Sequence, residues 1–369
     1  MGKCLVTKLQ GIVNNSSLPI LGKMNVEVSR VSHPKTETQV FYVMFSEDVD
    51  IKIIGDGYFT DTTLQQNLGK TKRISANVNQ QITVSNGNFY VQIPKYGIKQ
   101  IASVTSNIGF DIEDLQCNKD SLTYLKLQES QRDINIQYLK EFTHIETLSL
   151  SGCVHANGDI SNLAGMTGLK YLDLYRTKCS GDISNLAGMT GLKFLSSGDT
   201  RVSGDISNLA GMTELTTLSL FQTQCSGDIS SLAGLQKLET AIYTSTNIVT
   251  DIAKLSGMSN LRTLRLEGKN SSGDLSKAPA NIYGIFGNGN FTWDTERPSG
   301  STIFGMSTPT LKDNVDKMLI NLAKCTKSNS SSSDTSNFVI NVFGTRTSAS
   351  DAAVQTLQSK GYTVSITPA

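Results

Sequence analysis

Apolar positions in the middle of the chain recur with a step longer than any helix or strand period. In LKYLDLY (169–175), Leu172 and Leu174 alternate with Tyr171, Asp173 and Tyr175, as in a half-buried strand. Ile183, Leu186 and Met189 follow at three-residue spacing, and the series then restarts at Leu192, Leu215, Leu238 and Leu261, a step of 23 residues. GDISNLAGMTGLK occupies 158–170 and again 181–193, and GDISNLAGMT fills 204–213. A step of this size marks stacked units that bury a shared core only against their neighbours. The copy at 145–168 carries one extra residue, and looser copies start at Leu122 (Leu125, Leu127, Ile136, Leu139) and Ile98 (Ile101, Ile112, Leu115). That makes about eight coils. Their strands are expected to form one parallel sheet at about 4.8 Å per coil. Ile183, Leu186 and Met189 should fill the interior, Gly181 and Gly188 should permit tight turns, and Asp182 or Ser184 should cap a short helical turn.

The flanks follow other patterns. VEVSRV, QVFYVMF, VDIKIIG, QITVSN and FYVQIP are short β-rich runs between turn signals such as GDG and SNGN. They predict a sandwich-like β domain over 1–97, ahead of a solenoid over 98–305. Beyond 281 the repeat degrades into irregular strands. Over 306–369 a strand–helix–strand cap is expected. Thr308 and Pro309 predict the start of its first helix, with Val315, Met318, Leu319 and Leu322 on one face. KSNSSSSDTSN reads as a flexible loop and FVINVFG and YTVSI as strands. The second helix takes Ser348 as its cap and Gly361 as its stop.

The run L-x-x-L-x-L-x-x-T-x-C-S-G-D-I-x-x-L resembles the leucine-rich repeat, and its S-G-x-I-x-x-L half is similar to the plant-specific subclass of that family. The resemblance covers roughly residues 98–281. It implies an α/β solenoid, a right-handed coil with a parallel sheet on the concave side, here between an N-terminal β-rich domain and a C-terminal α/β cap. Thr177, Thr200, Thr223 and Thr246 stand where the family usually has Asn, Ser184 replaces the usual Pro, and each coil is one residue short of the subclass. The opening CLVTKL…LGK and the tail resemble segments of repeat proteins of gut Bacteroidetes and of their phages.

Composition narrows the function. A net charge of +1, with both signs interspersed, lacks the basic stripe of a nucleic-acid surface. No apolar run is long enough for membrane insertion. MGKCLVTKLQGIVNNSS does not read as a signal peptide, which predicts cytoplasmic synthesis, with a virion or a cell surface as candidate destinations. Of six cysteines, Cys179 and Cys225 share the inward position of Val202 and Ile248, and Cys153 sits at the adjacent inward Thr position. All three read as buried free thiols. His33, His144 and His155 form no catalytic or metal motif, and His144 reads as packing at a coil edge. Glu47, Asp48, Asp50, Asp56 and Asp61 lack the spacing of a Ca²⁺ loop. Asp159, Asp182, Asp205 and Asp228 would make a ladder of turn caps. Neither a cofactor, a metal nor an enzymatic activity is expected.

The outward strand positions and the corner after them vary between coils while the other half stays constant. They include Tyr124, Lys126, Tyr171, Asp173, Tyr175, Arg176, Phe194, Asp199, Phe221, Gln222 and Arg265. Aromatics and Arg are enriched at binding hot spots. The expected role is therefore recognition or adhesion, with a protein or glycan partner on the concave face. The alternative is a structural component of a phage virion or surface assembly, docked into the larger particle through residues 1–97. Asn162, Asn185 and Asn208 are identical yet expected at the surface, where tandem duplication accounts for them. Ser197, Ala241 and Tyr243 break the inward leucine pattern.

Overall fold

A computed structural model describes residues 20–26, 38–55, 58–61, 64, 66–85, 89–94, 97–103, 112–130, 133–266, 271–311, 314–327 and 338–368. His33, Asp56 and the serine-rich loop lie outside these residues, as do most of VEVSRV and the thiol environments of Cys4 and Cys117. The chain divides into two compact units, Met1–Cys179 and Ser180–Ala369.

In the first unit, β1 (Ile20–Val26), β3 (Val49–Gly55), β6 (Thr71–Ile74) and β8 (Phe89–Pro94) form an antiparallel sheet in the order β1-β8-β3-β6. A second sheet runs β5 (Gln66–Gly69), β4 (Tyr58–Asp61), β7 (Gln80–Ser85), β2 (Thr38–Phe45) and β9 (Ile98–Ser103). Buried Ile51, Ile53 and Ile74 come from the first sheet and buried Phe45, Phe59 and Ile82 from the second. β9 is the join. It pairs antiparallel with β2 on one side and parallel with Tyr124–Lys126 on the other. The coil strands Tyr124–Lys126, Thr147–Ser149 and Tyr171–Asp173 continue it in parallel, with Leu125, Leu148 and Leu172 aligned and fully buried.

In the second unit a parallel row runs through Phe194–Ser196, Thr217–Ser219, Thr240–Ile242, Thr263–Arg265, Gly284–Thr292, Gly305–Leu311, Val339–Phe343 and Thr363–Thr367. A second parallel ladder joins Arg201–Asp205, Gln224–Asp228, Asn247–Asp251 and Ser271–Asp274. Between the ladders each coil returns through a short 3-10 turn such as Ile206–Leu209, and Ile206, Leu209 and Met212 are fully buried. Burying each such side chain contributes about 1.5–3 kcal/mol. The coil interior is thus rebuilt from the same three positions every 23 residues.

The constant half has a hydrogen-bond logic. Asp159, Asp182, Asp205 and Asp228 each accept the N–H two residues on, at 2.8, 2.8, 2.8 and 2.9 Å, and so cap the turn. The side-chain amides of Asn162, Asn185 and Asn208 each donate to the carbonyl of the capping Asp at 2.9 Å. Ser231 does the same through its hydroxyl at 2.7 Å. The identity of those asparagines therefore has a physical cause besides duplication. Gly204 lies against Asp182, and Gly227 against Asp205, so closely that a Cβ would come within 2.5 and 2.4 Å of a carboxylate oxygen. Both glycines also have φ above 100°. The S-G-D triplet thus couples one coil's cap to the next coil's glycine.

The threonines in the family's Asn position close the strand corner. Thr200, Thr223 and Thr246 donate to the carbonyl three residues back at 2.6, 2.6 and 2.7 Å and accept the N–H two residues on. A hydroxyl here makes both bonds that the corner requires.

The tail departs from expectation in two places. Thr308 and Pro309 lie within the strand Gly305–Leu311, and α1 spans Val315–Lys324. Pro309 stands opposite Gly289, past a register shift, where a residue without an N–H is tolerated. α1 buries Val315, Met318, Leu319 and Leu322. Before α2 (Asp351–Ser359), Thr347 rather than Ser348 is the cap, accepting Ala349 N–H at 3.2 Å. Gly361 follows α2 at φ 89°.

Candidate functional site

Along the coil strands of the first unit, two outward rows run across the sheet. Tyr124, Thr147 and Tyr171 are in register in one, and Lys126, Ser149 and Asp173 in the other. The structure thus brings Tyr124, Lys126, Tyr171 and Asp173 together, all half-buried, around two small residues. Asp173 Oδ1 accepts Tyr175 N–H at 3.0 Å, which fixes the carboxylate. Burial, followed by the neighbouring Asp173 and Tyr124, raises the pKa of the Tyr171 phenol. The exposed Arg176 places its guanidinium 5.9 Å from the Tyr175 ring centroid.

In the second unit Phe194 aligns with Thr217, Thr240 and Thr263, while Ser196, Ser219, Ile242, Arg265 and Phe286 form the neighbouring row. The Phe221 ring lies on Gly198, where a Cβ would meet its Cε1 at 2.3 Å. Asp199 and Gln222 are exposed at the corner with φ of 56° and 53°. Their N–H groups donate to the carbonyls of Phe221 and Thr244, both at 2.8 Å. The left-handed corner recurs at Glu129, Arg176 and Ser245, and Gly152 occupies it once. Arg265 stacks on Phe286 at 4.9 Å.

Sequence reasoning missed Thr147, Gly198 and Phe286, and placed Ser149 on the outward face without foreseeing its buried hydroxyl. The bed that Gly198 makes for Phe221 was signalled by a glycine standing where the adjacent coils carry Tyr175 and Phe221.

Other candidates resolve into structure. Arg73 pairs with Asp48 at 3.4 Å and Asp50 at 3.3 Å, all exposed, and Asp61 accepts Leu64 N–H at 3.0 Å. His144 is exposed rather than packed at a coil edge, and half-buried His155 lies 3.8 Å from Asp133. Cys153, Cys179, Cys225 and Cys325 are buried free thiols. Inside the coils, Ser197 is buried with no partner for its hydroxyl, whereas Tyr243 bonds Thr250. Among the described residues no helix is long and apolar enough to cross a membrane.

The strands aligned on Leu125, Leu148 and Leu172, the capped turns and the 23-residue step define the class: the chain is a leucine-rich-repeat protein. Internalin C2 of Listeria monocytogenes is 30% identical to it, with a TM-score of 0.44, over 52% of this chain and 81% of that one. An internalin, inlF, of the same organism is 20% identical, with a TM-score of 0.48, over 72% of this chain and 73% of that one. The plant peptide hormone receptor RGFR1, solved in complex with RGF2, is 17% identical with a TM-score of 0.46. This chain matches it over 69% of its own length and spans 44% of the receptor's. No family model and no curated protein matches the chain.

Proposed function

We propose that the protein is a non-enzymatic recognition protein that binds a protein or glycan partner on the outward face of its coil strands and the corners that follow them. One observation carries this reading. The coils 169–191 and 192–214 differ only at positions 171, 173 to 176, 178, 179 and 191 of the first. Of these, 171, 173, 175, 176 and 178 are outward positions of the strand and the corner after it, whereas 174 and 179 point inward. Exposed positions on the turn side, such as Ser184 and Thr190 with their counterparts Ser207 and Thr213, are unchanged. Among the exposed and half-buried positions, change collects on the strand and corner side while the turn side keeps its residues, which exposure alone does not explain. The aromatic and Arg side chains there are the types that dominate interface energetics.

The test is binding of the full chain to printed arrays of peptides and oligosaccharides, repeated with face variants of each unit. Tyr124→Ala with Lys126→Ala probes the first unit, and Phe194→Ala with Arg265→Ala the second. Loss of array binding in either pair at an unchanged melting temperature supports the face. Binding that survives both pairs but is lost in Ser184→Lys with Ser207→Lys moves recognition to the turn side.

A further inference from the structure

We propose that Thr147 and Ser149 floor a slot that takes one neutral sugar ring of a glycan, with Tyr124 and Tyr171 as its walls and Lys126 and Asp173 at its rim. This rests on the recognition reading above and gives the first unit's share of that face a ligand class.

The slot follows from register. Tyr124, Thr147 and Tyr171 occupy equivalent positions on three consecutive strands, as do Lys126, Ser149 and Asp173. Adjacent strands are about 4.8 Å apart, so the two tyrosines originate roughly 10 Å from each other across one strand that carries only small side chains. The register thus sets two aromatic side chains on either side of a strand that carries only small ones. At its floor, Ser149 is 1% exposed although it belongs to an outward row, and its Oγ has no hydrogen-bond partner. A closed-off hydroxyl without a partner is costly and is the exception in folded proteins. A ligand that reaches it recovers a bond that the protein alone leaves unmade.

The chemistry of the rim selects the ligand. Lys126 supplies a cation and Asp173 an anion on either side of Ser149, so the site carries no net charge to hold a phosphate or another strong anion. Donor, acceptor and hydroxyl sit together beneath aromatic faces. A ring bearing several hydroxyls matches that set, because each hydroxyl both donates and accepts and the ring's C–H face lies against the aromatic walls. The outward surface here offers side chains. In the second unit the corresponding rows hold Phe194, Thr217 and Thr240 beside Ser196, Ser219 and Ile242, without the paired charges.

The experiment uses the full chain on an array of neutral oligosaccharides with peptides printed beside them, followed by titration of the strongest oligosaccharide. Ser149→Ala removes a hydroxyl that bonds nothing in the protein, so it should leave the melting temperature unchanged or raise it. The same change should weaken oligosaccharide binding roughly five- to tenfold. Thr147→Leu, checked for folding by circular dichroism, should abolish binding by filling the floor. Binding to no oligosaccharide, or to peptides alone, overturns the slot. Oligosaccharide binding that Phe221→Ala and Arg265→Ala weaken but Ser149→Ala and Thr147→Leu do not also overturns it, while leaving face recognition standing. Binding indifferent to every one of these variants, and also to Tyr124→Ala with Lys126→Ala, removes both.

Discussion

Tyr243 and Thr250 share a hydrogen bond of 2.8 Å inside a single coil, and each is a departure from the repeat. Tyr243 stands where other coils place Leu174, Leu220 or Leu266, and Thr250 stands where they place Gly181, Gly204 or Gly227. The two lapses compensate each other. The larger side chain brings a hydroxyl into the core, and the second substitution supplies its partner. Tyr243→Phe or Thr250→Val alone strands one buried hydroxyl and should cost about 1–2 kcal/mol. The double variant should cost less than the sum of the two, measured by urea unfolding. Strict additivity would show that the hydroxyls do not act as a pair.

Gly204 should be the least replaceable glycine of its coil. Its φ of 101° disfavours any side chain, and a Cβ would lie 2.5 Å from Asp182 Oδ1. Gly204→Ala should lose about 2–3 kcal/mol. Gly211→Ala in the same coil meets nothing within 4 Å and should be close to neutral. Combining Gly204→Ala with Asp182→Ala should recover part of the loss, since the clashing oxygen is gone. Equal losses at Gly204 and Gly211 in urea unfolding would count against the coil-to-coil coupling.

The C-terminal helices should separate in acid. Asp316 of α1 accepts Thr347 N–H at 3.0 Å, Thr347 Oγ1 at 2.6 Å and Ser350 Oγ at 2.5 Å, which ties α1 to the start of α2. Burial pushes its carboxyl up, but the bonds from Ser350 and Thr347 and the charge of Arg346 outweigh it and hold the pKa below the usual value. A depressed folded-state pKa gives stability that is present above the unfolded value of about 3.9 and is lost as pH falls through the folded one. Circular dichroism should therefore show helix loss beginning below about pH 4. Asp316→Asn should flatten that dependence and lower stability at pH 7.

The interior thiols should be inert while the coils are stacked. Burial pushes Cys153 and Cys179 up to about 11, and it raises Cys225 and Cys325 as well. At pH 8 iodoacetamide should leave all four unmodified in the native protein and label them in urea, as read by peptide mass mapping. Rapid native labelling of Cys179 would mean that the coil interior opens to solvent.

The coils were legible because each inward position is reused, so Leu172, Ile183 and Leu186 announce themselves by repetition. The flanks have no such redundancy. β4 to β6 were hidden because GDG read as a simple turn, QNLG is exposed throughout, and TKRI has only Ile74 to mark a face. Pro309 signalled a helix by local rules, and the parallel row of strands overrode them. At the candidate face the outward residues were legible from alternation alone. The partnerships were not, because Phe221 on Gly198 and Tyr124 across Thr147 from Tyr171 depend on which coils are neighbours. Ser149 was legible as an outward residue, but its orphaned hydroxyl was not, since that is a property of packing.

The most direct measurement is hydrogen–deuterium exchange of the full chain with and without the strongest array-selected ligand. Slowed exchange confined to the strand halves, around 124–128, 147–151 and 171–176 or around 194–199, 217–222 and 263–265, is the predicted result. Slowed exchange centred instead on the capped turns Ile160–Leu163 and Ile206–Leu209, with the strands unchanged, would contradict it.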